Sequence, residues 1–149
     1  IGYFSGKDAY SRAVAPFSNE REMFYINLDY VGIGDFDYFD VVAHEFQHMI
    51  HWHLDRNEQT WLNEGLSELS VTMNGYGGSD FLPKFLDNTD TSLTAFKYEG
   101  GDYGAAWLFV SWLKQKYGDV FVTFLSIGTL KSLSPFLPIK PPLFSKGKG

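Results

Sequence analysis

The residues best suited to chemistry lie in the run Asp40–His53, which reads DVVAHEFQHMIHWH. Within it, His44, Glu45 and His48 form the pattern HExxH. On a helix, residues four apart are separated by about 40° around the axis and about 6 Å along it, so both imidazoles can reach one metal ion. Glu45 is rotated from His44 by about 100° and would flank the ion, where a carboxylate can take a proton from metal-bound water. The pattern predicts a zinc-binding helix face with a general base beside it.

A zinc site needs at least one more ligand, because catalytic zinc keeps three protein ligands and a water molecule. Downstream, the segment beginning at Trp61 reads WLNEGLSEL and has the apolar spacing of a second helix. Glu64 lies far enough after His48 for the first helix to end and the chain to return to the metal, so it is the candidate third ligand. Glu68, one turn further along the same face, can accept a hydrogen bond from the far nitrogen of a liganding histidine and fix its orientation.

These two motifs, HEFQHMI and WLNEGLSE, resemble the gluzincin metallopeptidases, which pair HExxH with a glutamate on the next helix. Among them the similarity is closest to the bacterial neutral metallopeptidases of the hyicolysin type, and it covers roughly residues 23–126. The resemblance implies His44, His48 and Glu64 as ligands of one zinc ion and Glu45 as the catalytic base. The metzincin pattern HExxHxxGxxH is excluded, because His51 stands at its glycine position and Leu54 at its last histidine position.

The resemblance also implies a fold and a way of binding substrate. It predicts an α+β, thermolysin-like zincin catalytic domain, in which a small edge sheet is followed by a mostly helical portion. The strand-like segment Met23–Leu28 would pair with an extended peptide or protein substrate through main-chain hydrogen bonds. In the aminopeptidase branch, a tyrosine at the start of the helix after the third ligand supports the oxyanion; Tyr103 matches that position, with Tyr98 as its rival. A secreted or cell-surface location follows from the resemblance alone.

Two further functions stay open beside a zinc endopeptidase. The first is a non-catalytic zinc-bearing module that presents an acidic surface to a partner. The second is a zinc hydrolase or aminopeptidase that acts on other amides. Endopeptidase activity is favoured over aminopeptidase activity because the chain has no Gly-x-Met-x-Asn strand for a free amine.

Length and charge limit the remaining classes. The 149 residues fit one domain, with residues 1–130 predicted as the catalytic domain and the Pro- and Lys-rich residues 131–149 as a disordered tail. The short portion after the third ligand leaves open whether the domain is complete, and the start at Ile1 indicates a piece of a longer precursor. A net charge of −6 argues against nucleic acid, and no apolar run is long enough to span a membrane. We expect a monomer.

The other elements and polar clusters follow from local pattern. We expect a zinc helix capped by Asp37 or Asp40, short helices at residues 80–86 and 119–125, and an apolar helix at residues 103–117 closed by Gly118. The loop carboxylates Asp35, Asp37 and Asp40 could hold calcium, although a solvated capping loop is the favoured interpretation. Packing or surface roles are expected for His51 and His53, and a structural role for Asn63.

Overall fold

Two short strands precede four α-helices in the computed structural model, which describes residues 1–119 and Val122. The strands are β1 (Gly2–Phe4) and β2 (Phe24–Ile26), and a 3₁₀ helix at Gly6–Ala9 follows β1. The helices are α1 (Phe36–Leu54), α2 (Thr60–Met73), α3 (Leu82–Asp87) and α4 (Gly100–Tyr117). No helix within this described part of the chain is long and apolar enough to cross a membrane.

β1 and β2 form one antiparallel sheet in which Tyr3 lies opposite Tyr25. The two tyrosine rings stack with centroids 4.5 Å apart. The predicted strand Met23–Leu28 is wrong at both ends, since β2 covers only three residues. Its length is set by its partner, because β1 starts at Gly2 and the chain turns into the 3₁₀ helix at Gly6.

α1 begins earlier than the sequence predicted, with Asp35 at the N-cap position. Gly34, at a φ of 91°, ends the preceding loop immediately before it. Asp37 and Asp40 therefore lie inside the helix, and neither is its cap. Asp37 occupies the first turn, where a negative charge is favourable beside the unpaired N–H groups.

The apolar core lies between α2 and α4. Its buried members are the side chains of Leu62, Leu66, Leu69, Val110 and Leu113. Trp61, Phe109 and Trp112 pack against this cluster from its edges. α1 crosses α2 on another side, and its own buried residues are the polar Glu45 and His51. No α1 side chain belongs to this apolar cluster of the described residues.

α4 begins at Gly100, three residues before the predicted start at Tyr103. A capping box explains the difference: the Glu99 side chain accepts from the Asp102 backbone, and Asp102 Oδ2 accepts from the Glu99 N–H at 3.0 Å. Gly104 then allows a close crossing of α3 and α4, since a Cβ there would lie 2.4 Å from the Phe81 carbonyl oxygen. These contacts hold the start of α4, including Tyr103, against α3.

Several sequence predictions fall partly or wholly outside the described residues. They are the helix at 119–125, the domain limit at residue 130 and the disordered tail at 131–149.

The predicted helix at 80–86 is observed as α3, displaced toward the C-terminus, with Pro83 in its first turn. The described chain combines mostly helical structure with one small sheet, and the thermolysin-like assignment stays a prediction.

Candidate metal centre

α1 and α2 bring His44, His48 and Glu64 together. The Nε2 atoms of the two histidines are 3.1 Å apart, and each lies 3.4 Å from Glu64 Oε2. All three side chains are largely buried, with at most 16% of any of them exposed. Within the described residues this is the one group of histidine or carboxylate side chains whose donor atoms converge closely enough to share an ion.

This triangle fits zinc. In tetrahedral coordination with bonds of about 2.0–2.1 Å, ligand atoms are separated by roughly 3.3–3.4 Å. The three separations in the structure lie close to that value, and the donors are two imidazole nitrogens and a carboxylate oxygen, which zinc prefers. Three protein donors leave the fourth position of the tetrahedron for water or substrate.

Glu68 contacts the far side of the His44 ring. Its Oε1 lies 3.3 Å from His44 Nδ1, and Glu68 is 8% exposed. An Nδ1–H donated to this carboxylate leaves the Nε2 lone pair of His44 directed at the other two donor atoms. The i, i+4 spacing of Glu64 and Glu68 on α2 produces this arrangement, because the two carboxylates lie on one face, one turn apart.

His48 has its own pair of contacts on α2, which the sequence analysis did not identify. Its Nδ1 lies 3.0 Å from Ser67 Oγ and 3.3 Å from Asn63 Oδ1. Asn63, for which only a structural role was expected, therefore contacts a candidate metal ligand. Asn63 and Ser67 repeat the spacing of Glu64 and Glu68 one position earlier, so α2 presents two adjacent rows of polar side chains to α1. That repeat was the available signal in the sequence.

The ligand group is strongly coupled electrostatically. Burial opposes a charge on the His44 imidazole, but the Glu64 and Glu68 carboxylates outweigh it and raise the pKa of His44 to about 10. Burial likewise opposes ionisation of Glu64, and hydrogen bonds from His44 and His48 still hold its pKa well below the usual range. Without metal, both shifts favour a buried ion pair between His44 and Glu64.

Glu45 lies on α1 beside these ligands and is 6% exposed. Gly2 of β1 covers it: a Cβ on Gly2 would lie 2.9 Å from Glu45 Cγ and 3.0 Å from Oε1. Glu45 Oε2 is buried without a hydrogen-bond partner in the described part of the chain. Burial raises the pKa of Glu45, so its carboxyl holds a proton more readily than an exposed glutamate does.

No protein-family model, curated protein or solved structure matches this chain. Function is therefore inferred from the two motifs and from the geometry of α1 and α2.

Tyr103 faces the same region from α4. Its ring packs against Phe81 and Phe96, with centroids 5.1 and 5.2 Å away. Burial raises the pKa of Tyr103, and negative charge at Glu64 raises it further, so the hydroxyl stays protonated and can donate. The rival Tyr98 is 65% exposed and lies in the left-handed backbone region at a φ of 63°.

The two extra histidines of α1 have different environments. His51 is 1% exposed, and its Nδ1 lies 3.0 Å from Asn63 Oδ1. His53 is exposed and lies 3.4 Å from the exposed Glu22 carboxylate. Neither belongs to the converging donor group of the described residues, but His51 contacts a residue that touches His48.

The three carboxylates considered for calcium occupy the start of α1. Asp35 and Asp37 are exposed. Asp40 is partly buried, and burial together with the neighbouring Glu68 charge raises its pKa to about 6. No convergence of their oxygens is found among the described residues.

Proposed function

We propose that this chain is a zinc-dependent endopeptidase of the thermolysin-like type that the gluzincin resemblance implies. The observation that carries the proposal is the triangle of His44 Nε2, His48 Nε2 and Glu64 Oε2, whose sides of 3.1–3.4 Å fit one tetrahedral zinc ion. Three protein donors and one free position are typical of catalytic zinc, whereas structural zinc has four protein ligands. Glu45 supplies a buried carboxylate beside this position.

Zinc bound at these residues would act as a Lewis acid toward the scissile carbonyl and lower the pKa of a water molecule. Glu45 takes the proton from the attacking water and then donates it to the amine that leaves. Its raised pKa suits both steps, because the carboxyl must hold the proton between them. The Tyr103 hydroxyl donates a hydrogen bond to the oxyanion that develops on the substrate.

An extended substrate would pair with the sheet, as expected for Met23–Leu28, but we assign it to the edge of β1 that no strand of the described residues covers. Gly2 of β1 is the strand residue that lies against Glu45. The Asn27 N–H donates to the Ile1 carbonyl at 2.8 Å, so Ile1 and Asn27 form a hydrogen-bonded pair. In an antiparallel ladder, every second residue points its N–H and C=O groups away from the partner strand. The backbone groups of Gly2 and Phe4 therefore point away from β2. Those groups are available to a substrate strand, and β2 supports β1 from behind.

The direct test is the zinc content and casein hydrolysis of the native chain and of Glu45→Gln. Removing the general base while keeping the ligands should leave zinc binding intact and reduce hydrolysis by about 100-fold or more. Glu20→Gln is the matched control, because it makes the same chemical change at an exposed carboxylate that contacts Arg12. The control should cleave casein as the native chain does.

The other outcomes distinguish the alternatives. Zinc in both proteins with cleavage in neither would favour a non-catalytic zinc-bearing module. Cleavage of small amides or of peptides with a free amino terminus, but not of casein, would favour a zinc hydrolase or aminopeptidase. Absence of zinc from the native chain would overturn the proposal.

A further inference from the structure

The largest fully buried side chain in the described residues is an imidazole that the proposed mechanism does not use. His51 lies three residues after His48 on α1 and is 1% exposed. Its Nδ1 is 3.0 Å from Asn63 Oδ1, and the same oxygen is 3.3 Å from His48 Nδ1. One amide oxygen on α2 therefore lies between the two histidines of α1.

The chemistry of these atoms determines where the protons are. If His48 binds a metal through Nε2, its Nδ1 must carry a hydrogen. An amide oxygen has two lone pairs, so Asn63 Oδ1 can accept from His48 and from His51 together. Burial lowers the pKa of His51, which keeps its ring neutral. His51 Nε2 is buried without a hydrogen-bond partner in the described chain, so the single proton belongs on Nδ1.

We propose that His51 is a positioning residue of the metal centre: its Nδ1–H holds the Asn63 amide with Oδ1 toward His48, and Asn63 in turn directs His48 Nε2 at the metal. The inference rests on the proposed zinc function. Without the His51 donor, the Asn63 amide can rotate and present its NH₂ group to the His48 N–H, which repels it. Ser67 Oγ, at 3.0 Å from His48 Nδ1, retains part of the orientation.

Substitutions at His51 can separate this role from packing. His51→Asn places an amide N–H close to the original Nδ1, whereas His51→Gln places it near the original Nε2, where it cannot reach Asn63. His51→Leu removes the donor altogether. His53→Leu is the control, since it removes an exposed histidine of the same helix that is paired with Glu22.

The experiment measures the zinc dissociation constant of each protein by competition with a chelator, and the visible absorption of its cobalt-substituted form. We expect His51→Leu and His51→Gln to bind zinc about tenfold more weakly and to show altered cobalt bands. His51→Asn and the control should stay close to the native protein. Thermal unfolding of the metal-free forms shows which variants fold.

A measurement on the native chain keeps the inference testable if the variants do not fold. Long-range ¹H–¹⁵N spectra of the zinc-loaded protein should show His51 protonated at Nδ1, and a proton on Nε2 would overturn the inference. Unchanged zinc affinity in a folded His51→Leu protein would overturn this inference and leave the proposed function standing. A native chain that binds no zinc would overturn the proposed function and this inference together.

Discussion

In the metal-free protein, the raised pKa of His44 favours a proton on this ring, which zinc must displace. Glu64 and Glu68 lie 3.4 and 3.3 Å from the two nitrogens of this ring and raise its pKa to about 10, against the effect of burial. The imidazolium is therefore the dominant form in the metal-free protein below about pH 10. Because only the neutral ring can bind the metal, zinc affinity should fall as the pH is lowered through this whole range.

Proton release on zinc binding follows from this pKa. Calorimetric titrations at pH 7.5 in two buffers of different ionisation enthalpy should give at least about one proton released per zinc. Glu68→Gln removes one of the two carboxylate partners, lowers the His44 pKa and should reduce the release. A binding enthalpy independent of the buffer would contradict the buried His44–Glu64 ion pair.

Tyr103→Phe removes one hydroxyl and leaves the aromatic packing against Phe81 and Phe96 in place. If the hydroxyl donates to the developing oxyanion, kcat should fall by about 10- to 1000-fold, with little change in KM or zinc content. Steady-state kinetics on a blocked peptide measures both constants.

Tyr98→Phe is the matched control for the same loss of a hydroxyl, at an exposed side chain. It should retain the native kcat. Loss of activity in Tyr98→Phe with none in Tyr103→Phe would reverse the assignment of the two tyrosines.

We expect α1 to depend on a bound metal more than α2 and α4 do. Its buried side chains are the polar Glu45 and His51, whereas the apolar core is built from α2 and α4. A hydrogen bond also joins α1 to α2, since Ser70 Oγ of α2 donates to the Ala43 carbonyl of α1 at 2.8 Å. Zinc held by two ligands on α1 and one on α2 would join the two helices directly.

Removal of zinc should therefore loosen α1 first. We expect amide hydrogen exchange in α1 to accelerate by about tenfold or more in the metal-free protein, while amides of α2 and α4 around the apolar core stay protected. Hydrogen exchange followed by mass spectrometry, with and without a chelator, measures each helix in one experiment. Equal acceleration in all three helices, or none, would contradict this division.

The convergence of His44, His48 and Glu64 could be predicted from sequence because it depends on spacing within two helices. His44 and His48 need only α1 to be helical, and Glu64 and Glu68 need only α2. The contact of Asn63 with His48 was missed because it depends on how α1 and α2 meet. The early start of α1 was missed because it depends on where Gly34 ends the preceding loop. The pairing of β1 with β2 was missed because three-residue strands leave almost no periodic signal.

In the whole molecule, zinc would be both the link between α1 and α2 and the source of the chemistry. The 149-residue chain has no cysteine, so histidine and carboxylate side chains are its available zinc ligands. Zinc binding, the stability of α1 and peptide hydrolysis should consequently change together. A single titration can follow metal occupancy and activity at once.

The most direct measurement is a zinc titration of the metal-stripped chain, followed by cleavage of an internally quenched peptide that is blocked at both ends. We expect background cleavage at the start, a linear rise and a break at one equivalent of zinc, with no such rise for Glu64→Gln. Cleavage that is independent of zinc, or absent at saturating zinc, would contradict the proposed function.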